Sequence, residues 1–395
     1  MKQFLQKNKI SILFFLVGLI LQSIYLFNYF KTDWAITPTY TYSNLVSLLL
    51  ISLACFLFSV KNKKYIISNL FLLTFLIITV EMVCFVLLDS PEKYKRDFGL
   101  PLLPEDHIGS NIGTVPYADS IYHSVLIKDK QTVYDVNYTI DSNCKRITPD
   151  FDSSRSKYAL FFGCSIAFGE GLNDNQTFPY YFQQQTNEYN SYNFGYSGYG
   201  TNHMLARMEF QNLTQQVKEK DGVAFYVFFG DHVNRSIGSM NTFIGWLSNA
   251  PYYEMKDGKL VRNKMFKNGR YWVSKFYELV YQTSIINYFK INFPIKPQPK
   301  HYELTVEIIQ ASKEKYIQQF GNDNFYVILY PSFKFLPQED YDYFKSLLDK
   351  KGIISIDLDS FINYSEEHTL GGDPHPNANT NKMLVEELIK RLNNK

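Results

Sequence analysis

The chain has 395 residues, with 40 Lys and Arg against 38 Asp and Glu and a formal charge of +2. That length allows one or two domains with a full core. The scattered, near-neutral charge offers no basic stripe of the kind a nucleic-acid partner requires. Aromatic residues make up 17 % of the chain, which implies well-filled cores and grooves without naming a ligand.

Three apolar stretches come first: 10–30 (ISILFFLVGLILQSIYLFNYF), 44–60 (NLVSLLLISLACFLFSV) and 65–88 (YIISNLFLLTFLIITVEMVCFVLL). Each is near the ~20 residues a helix needs to cross a hydrocarbon core, the second a little short. They predict a membrane anchor of three transmembrane helices over residues 1–90. Lys2, Lys7 and Lys9 precede the first stretch, and Lys61, Lys63 and Lys64 fill the loop before the third, whereas Lys31–Ser43 carries one Lys and one Asp. Basic residues mark the cytoplasmic side, so the N-terminus is expected inside and everything after Leu88 outside. The run Glu92–Arg96 (EKYKR) is a weak contrary signal. The first stretch is too long for a signal-peptide core and is followed by no small-x-small cleavage site. Glu81 is the one charge within the three stretches; it is expected to be protonated or to face a neighbouring helix.

Residues 91–155 read as a linker plus a small β-rich extension, because Val133–Ile140 (VYDVNYTI) alternates apolar and polar residues. From residue 156 the pattern changes. Short apolar runs at Tyr158–Phe162, Ser191–Phe194, Val223–Phe229, Asn324–Tyr330 and Ile353–Leu358 alternate with helical spacing at Thr177–Asn187, His203–Glu219, Gln338–Lys350 and Asn379–Asn393. Such alternation predicts an α/β domain over 156–395, with a parallel sheet covered on both faces and its site at the strand C-terminal ends. The aromatic-rich stretch 239–299 breaks the pattern and reads as an insertion, part of a lid or substrate groove. Cys55 and Cys84 lie in apolar segments and read as packing residues. Cys144 and Cys164 would share the outer compartment, where a disulfide is one option that sequence alone does not decide.

Two motifs carry chemistry. Phe162–Gly171 (FGCSIAFGEG) places Ser165 directly after an apolar strand, between glycines. A turn there exposes the hydroxyl and brings backbone N–H groups to a developing oxyanion; taken alone, it reads rather as a strand-to-helix turn with a capping serine. Asp373-Pro-His375-Pro-Asn377 precedes the last helix. It supplies a base and the carboxylate that would fix its tautomer from one loop; taken alone, it is equally a helix cap with a surface histidine. No CxxC, HExxH or Gly-x-x-x-x-Gly-Lys spacing occurs, so no metal or cofactor is expected.

Together, these blocks resemble the SGNH (GDSL-like) hydrolase superfamily in chain order and spacing. Gly163-Cys164-Ser165 stands where that superfamily has Gly-Asp-Ser, and Phe168–Leu172 and Thr177–Pro179 are similar to its members. Asn193–Thr201 (NFGYSGYGT) resembles its second block, with Gly198 at the oxyanion position, and Asp373-Pro-His375 resembles its last. The resemblance spans 156–395. It implies a flavodoxin-like three-layer sheet, ester chemistry without a metal, and Ser165, His375 and Asp373 as nucleophile, base and orienting carboxylate. Cys164 departs from the usual Asp, outside the triad. In the third block, Gly230–Arg235 (GDHVNR) puts His232 where an Asn oxyanion donor is usual. A neutral imidazole N–H can donate; Asn234 is the alternative donor, and Asp231 could pair with Arg235. His203 is expected to be a surface or groove residue rather than the base.

The expected function is that of a membrane-anchored serine esterase with an extracytoplasmic catalytic domain, acting on ester groups, O-acetyl foremost, of glycans or lipids. The same triad would serve an O-acyltransferase of surface polysaccharide, supplied by a separate membrane acyl-donor partner. A non-catalytic glycan-binding or assembly module is the reading from another class. Membrane lipids and an ester-bearing glycan or lipid are the expected partners.

Overall fold

The computed structural model describes residues 8–31, 38–61, 65–88, 94–97, 111–332 and 336–394. Lys2, Lys7, Lys63 and Lys64, and Glu92 and Lys93 of the run Glu92–Arg96, lie outside the described residues. The chain divides into two units: Met1–Ser90 with Leu279–Ile291, and Pro91–Glu278 with Asn292–Lys395.

In the larger unit, β1 (Tyr94–Asp97), β2 (Ser120–Lys128) and β3 (Gln131–Ile140) form a small antiparallel sheet in that order. A five-stranded sheet follows, built from β4 (Lys157–Phe162), β5 (Tyr189–Asn193), β6 (Asp221–Phe228), β9 (Phe325–Leu329) and β10 (Ile354–Asp357). Its strands run in the order β10-β9-β6-β4-β5 and every pairing is parallel. Numbered within the sheet this is 2-1-3-4-5, the order of flavodoxin-like doubly wound folds, with its topological switch point between β4 and β6.

The side-chain period of two explains why these strands are apolar throughout. In β4, Tyr158, Leu160 and Phe162 join one buried cluster, while Ala159 and Phe161 join the other. The first face is covered by Met204 and Met208 of the helix Thr201–Phe210, by Tyr302, Val306 and Ile309 of the helix Pro299–Phe320, and by Phe344 and Leu348 of the helix Gln338–Lys350. The second is covered by Phe178 and Phe182 of the helix Phe178–Gln185 and by Leu384, Val385 and Leu388 of the helix Ala378–Asn393. Three layers result.

The helix expected over His203–Glu219 ends at Phe210. Asn212 explains the stop: its side chain accepts from the N–H (3.2 Å) and the hydroxyl (2.6 Å) of Thr214, a local turn that competes with helix continuation. Within the aromatic stretch, β7 (Pro251–Lys256) and β8 (Lys259–Met265) form a hairpin. It turns on Asp257 and Gly258, both at positive φ, as a two-residue hairpin loop requires. Cys144 and Cys164 are free thiols, so no disulfide joins them.

In the smaller unit, helices form at Lys9–Lys31, Pro38–Lys61 and Tyr65–Leu87. Among the described residues one stretch, Ser68–Leu87, is long and apolar enough to span a membrane; the described apolar stretches of the other two helices, Lys9–Ile20 and Val46–Val60, are shorter. Small residues let the first two helices approach, since a Cβ on Gly18 would lie 2.6 Å from Ile51 Cγ1. Hydroxyls bond between helices, Ser47 to Gln22 Oε1 at 2.5 Å, Ser68 to Ser59 at 3.0 Å and Ser52 to the Phe71 carbonyl at 3.0 Å, the contacts available where water is scarce. Glu81 accepts hydrogen bonds from the backbone N–H groups of Ser284 and Ile285, the latter at 2.9 Å, at the start of the short helix Ser284–Tyr288.

Candidate active site

Ser165 lies three residues past the end of β4, at the switch point of the sheet, as the first residue of a four-residue helix, Ser165–Phe168. Gly169 ends that helix in the left-handed region at φ +86. A Cβ there would also meet Thr177 Cγ2 at 2.6 Å, so the turn needs glycine for both backbone and space. Arg146, fully buried, braces the turn. Its guanidinium donates to the carbonyls of Phe168 (2.8 Å), Gly169 (2.7 Å) and Leu172 (2.6 Å) and pairs with Asp174 at 2.9 Å. The Tyr138 hydroxyl accepts from the Gly171 N–H at 2.9 Å. Through these contacts and the apolar cluster of Tyr122, Tyr138, Phe168, Tyr196 and Tyr199, the small sheet supports the serine turn.

The other motif arrives from the loop before the last helix. Asn377 caps that helix by accepting from the Thr380 N–H at 2.9 Å and donates its amide to the carbonyls of Glu367 and Thr369. The Leu370 N–H binds the His375 carbonyl at 3.0 Å. So fixed, His375 Nδ1 faces Asp373 Oδ1 at 2.5 Å, and its Nε2 faces Ser165 Oγ at 2.8 Å. Asp373 Oδ1 also accepts the His375 backbone N–H at 3.0 Å. Asp373 is 5 % exposed and Ser165 7 %. In this arrangement the Ser165 hydroxyl donates to Nε2 and Nδ1–H donates to the carboxylate, which gives one base, one orienter and one nucleophile in line.

Gly198, the expected oxyanion donor, has φ +82. Trp246 covers it, donating from Nε1 to the Gly198 carbonyl at 3.1 Å. The loop that carries Gly198 is held by Asn193, whose amide donates to the Ala167 carbonyl at 2.8 Å and whose Oδ1 accepts the Gly195 N–H.

The expected role of His232 as an oxyanion donor needs correction. The helix His232–Ile237 begins at this residue and turns the ring into the core, where it is 0 % exposed. Nδ1 bonds the Tyr226 hydroxyl at 2.7 Å, and Tyr226, Phe228 and Phe229 pack on the ring. A side chain without accessible surface cannot meet a ligand entering from solvent. Burial holds its pKa well below the usual value, so it is neutral. Asn234 is partly buried and donates to Asp231 at 3.3 Å. Asp231 pairs with Arg235 at 2.8 Å, and Arg235 donates in turn to the Tyr199 carbonyl at 2.8 Å. His203 is not at the surface either. It accepts the Gly200 N–H at 3.2 Å and stacks on Tyr199 at 4.1 Å, and burial lowers its pKa to about 3.

One residue beside the triad carries no signal in the motif beyond its presence there. Glu170, 4 % exposed, points Oε2 at His375 Nε2 from 3.8 Å and accepts the Ser197 hydroxyl at 2.7 Å. It therefore joins the serine turn to the Gly198 loop. A cleft of about 470 Å³ opens at the ends of β6 and β9, lined among others by Phe229, Tyr330, Tyr341 and Asp359; none of the three triad residues lines it.

No protein-family model matches the chain. No curated protein sequence matches it. Among solved structures it is similar to a member of the lipolytic protein G-D-S-L family from Veillonella parvula DSM 2008, at 12 % identity over 59 % of this chain and 97 % of that one, with a TM-score of 0.35. It is similar to TesA at 12 % identity over 60 % and 98 %, TM-score 0.37. It is also similar to AlinE4, an SGNH-hydrolase family esterase, at 15 % identity over 62 % and 96 %, TM-score 0.34. These scores are low, and the residues of the site are defined by their own geometry.

Proposed function

We propose that this chain is a membrane-anchored serine esterase of the SGNH type. The observation that carries the reading is the line Ser165 Oγ–His375 Nε2 (2.8 Å) and His375 Nδ1–Asp373 (2.5 Å), built at the switch point of a parallel sheet. His375 takes the proton as Ser165 Oγ attacks the ester carbonyl, and Asp373 stabilises the imidazolium. The backbone N–H groups of Ser165 and Gly198 receive the oxyanion, each worth roughly 3 kcal/mol in such sites, with Asn234 as the candidate third donor. His375 then returns the proton to the leaving alkoxide as the carbon–oxygen bond breaks. Water, or an acceptor hydroxyl, loses its proton to His375 and attacks the acyl-serine; as the bond from the acyl carbon to Ser165 Oγ breaks, His375 returns the proton to Ser165 Oγ and the acyl group is released.

The three apolar stretches and the lysines before the first and between the second and third support an anchor with the catalytic domain outside the cytoplasm, with the run Glu92–Arg96 as the contrary signal. An ester on a surface glycan or lipid, O-acetyl foremost, fits that location. The test is acetate release from an activated aryl acetate by the detergent-solubilised full chain. Wild type should turn over, with Ser165→Ala lower by about a thousandfold or more; equal turnover by the two would defeat the reading. Adding an oligosaccharide acceptor separates the two fates of the acyl group: free acetate marks the esterase, acetylated sugar the transferase.

A further inference from the structure

The helix Tyr271–Tyr281 is turned inside out. Its buried residues are Ser274 and Tyr277, while Trp272, Phe276 and Leu279, spaced i, i+4, i+7, are 81 %, 49 % and 68 % exposed. A helix on a protein body normally shows the reverse. Tyr288, Phe289 and Ile295, which follow in the chain, are exposed as well. Exposed lysines flank it at Lys275, Lys290, Lys296 and Lys300. Patches this apolar mark a contact rather than ordinary surface.

The chain itself indicates which contact. Leu279–Ile291 belongs to the unit of the apolar helices, not to the sheet unit on either side of it in sequence. Within that unit Glu81, on the helix most able to span a membrane, accepts the backbone N–H groups of Ser284 and Ile285. Those donors would be costly to leave unpaired away from water, so Glu81 has a use there. The two units are thus joined by chain crossings after Ser90, Glu278 and Ile291.

We propose that Tyr271–Ile295 is a membrane-interface element: Trp272, Phe276, Leu279, Tyr288 and Phe289 enter the headgroup–acyl boundary of the outer leaflet, the lysines meet anionic headgroups, and Glu81 pins the segment to the anchor. Aromatic and aliphatic residues rimmed by lysine have the composition of such elements, which lie roughly 5–10 Å into the boundary. The inference rests on the anchoring proposed above and adds a second attachment of the sheet unit to the bilayer.

The full chain is reconstituted in vesicles of phosphatidylcholine with a minority of phosphatidylglycerol, containing lipid spin-labelled near the headgroup. The emission lost in Trp272→Phe isolates Trp272. That emission should fall at least about twofold with spin-labelled lipid, and Glu81→Ala should abolish most of the quenching while the chain stays embedded and its serine stays reactive. An alkaline wash separates the two ways to fail. A chain that washes off the vesicles defeats the anchor and the interface element together. A chain that resists the wash with Trp272 unquenched, or captured by a second protein surface instead, leaves the anchor standing and overturns the interface element. Undiminished quenching in Glu81→Ala overturns the part assigned to Glu81.

Discussion

At the scale of single residues, the candidate site divides into the proposed triad and the groups that hold it. Asp373 belongs to the first: with its oxygen 2.5 Å from His375 Nδ1, Asp373→Asn should leave the fold intact but favour the wrong imidazole tautomer. A loss of about 10²–10⁴ in kcat with little change in KM is expected from steady-state ester hydrolysis. Glu170 holds. Its hydrogen bond to Ser197 joins two loops of the site, and a charged hydrogen bond of this kind is worth about 1.5–3 kcal/mol. Glu170→Ala should therefore lower kcat/KM by about tenfold or more in the same assay without abolishing labelling of Ser165. Gly198 admits no side chain, because φ is +82 and a Cβ would lie 2.7 Å from Trp246 Cδ1. Gly198→Ala should move both the loop that carries Gly198 and Trp246, read as a drop in kcat together with a shift in tryptophan emission.

At the scale of elements, the serine turn is braced by Arg146 and the small sheet in addition to its own backbone hydrogen bonds. Arg146 is the centre of that support, fully buried with burial lowering its pKa. Arg146→Met would leave Asp174 and the carbonyls of Phe168, Gly169 and Leu172 without their donor. Breaking a buried pair in this way costs about 3–5 kcal/mol, to be read as a shift of the denaturation midpoint. The two motifs that the fold brings within hydrogen-bond distance were legible in the sequence because each is local: the serine follows its strand by three residues, and Asp373 stands two residues from His375. The strands were legible within a residue or two, since burial on both faces leaves continuous apolar runs such as Val223–Phe229. What was not legible depends on packing between distant segments. His232 could have pointed either way until the helix beginning at it fixed the ring against Tyr226. Arg146 reads as an unremarkable base in an extension, and only the fold brings it beneath Gly169. The long helix Pro299–Phe320 lies between the aromatic insertion 239–299 and the run Asn324–Tyr330 and was not assigned, and the insertion's apolar side chains gave no sign that part of them would face outward.

At the scale of the whole molecule, two buried neutral histidines make stability depend on acidity. His203 is lowered to about 3 and His232 well below its usual value, both by burial, whereas an unfolded histidine titrates near 6.5. Below that pH the unfolded chain binds more protons than the folded one, so the free energy of unfolding falls as pH drops. Each residue can contribute up to about 1.4 kcal/mol per pH unit. Denaturation midpoints at about pH 7.5 and about pH 5.5 should differ in that direction, and His203→Gln should flatten the dependence. All of this serves one claim, that Ser165 is an activated nucleophile. The direct measurement is a fluorophosphonate probe on the detergent-solubilised full chain, with the modified residue located by peptide mass spectrometry. The account predicts one adduct, on Ser165, lost in Ser165→Ala and in His375→Ala. A well-folded wild-type chain that takes no label, or that takes it on another serine, would contradict it.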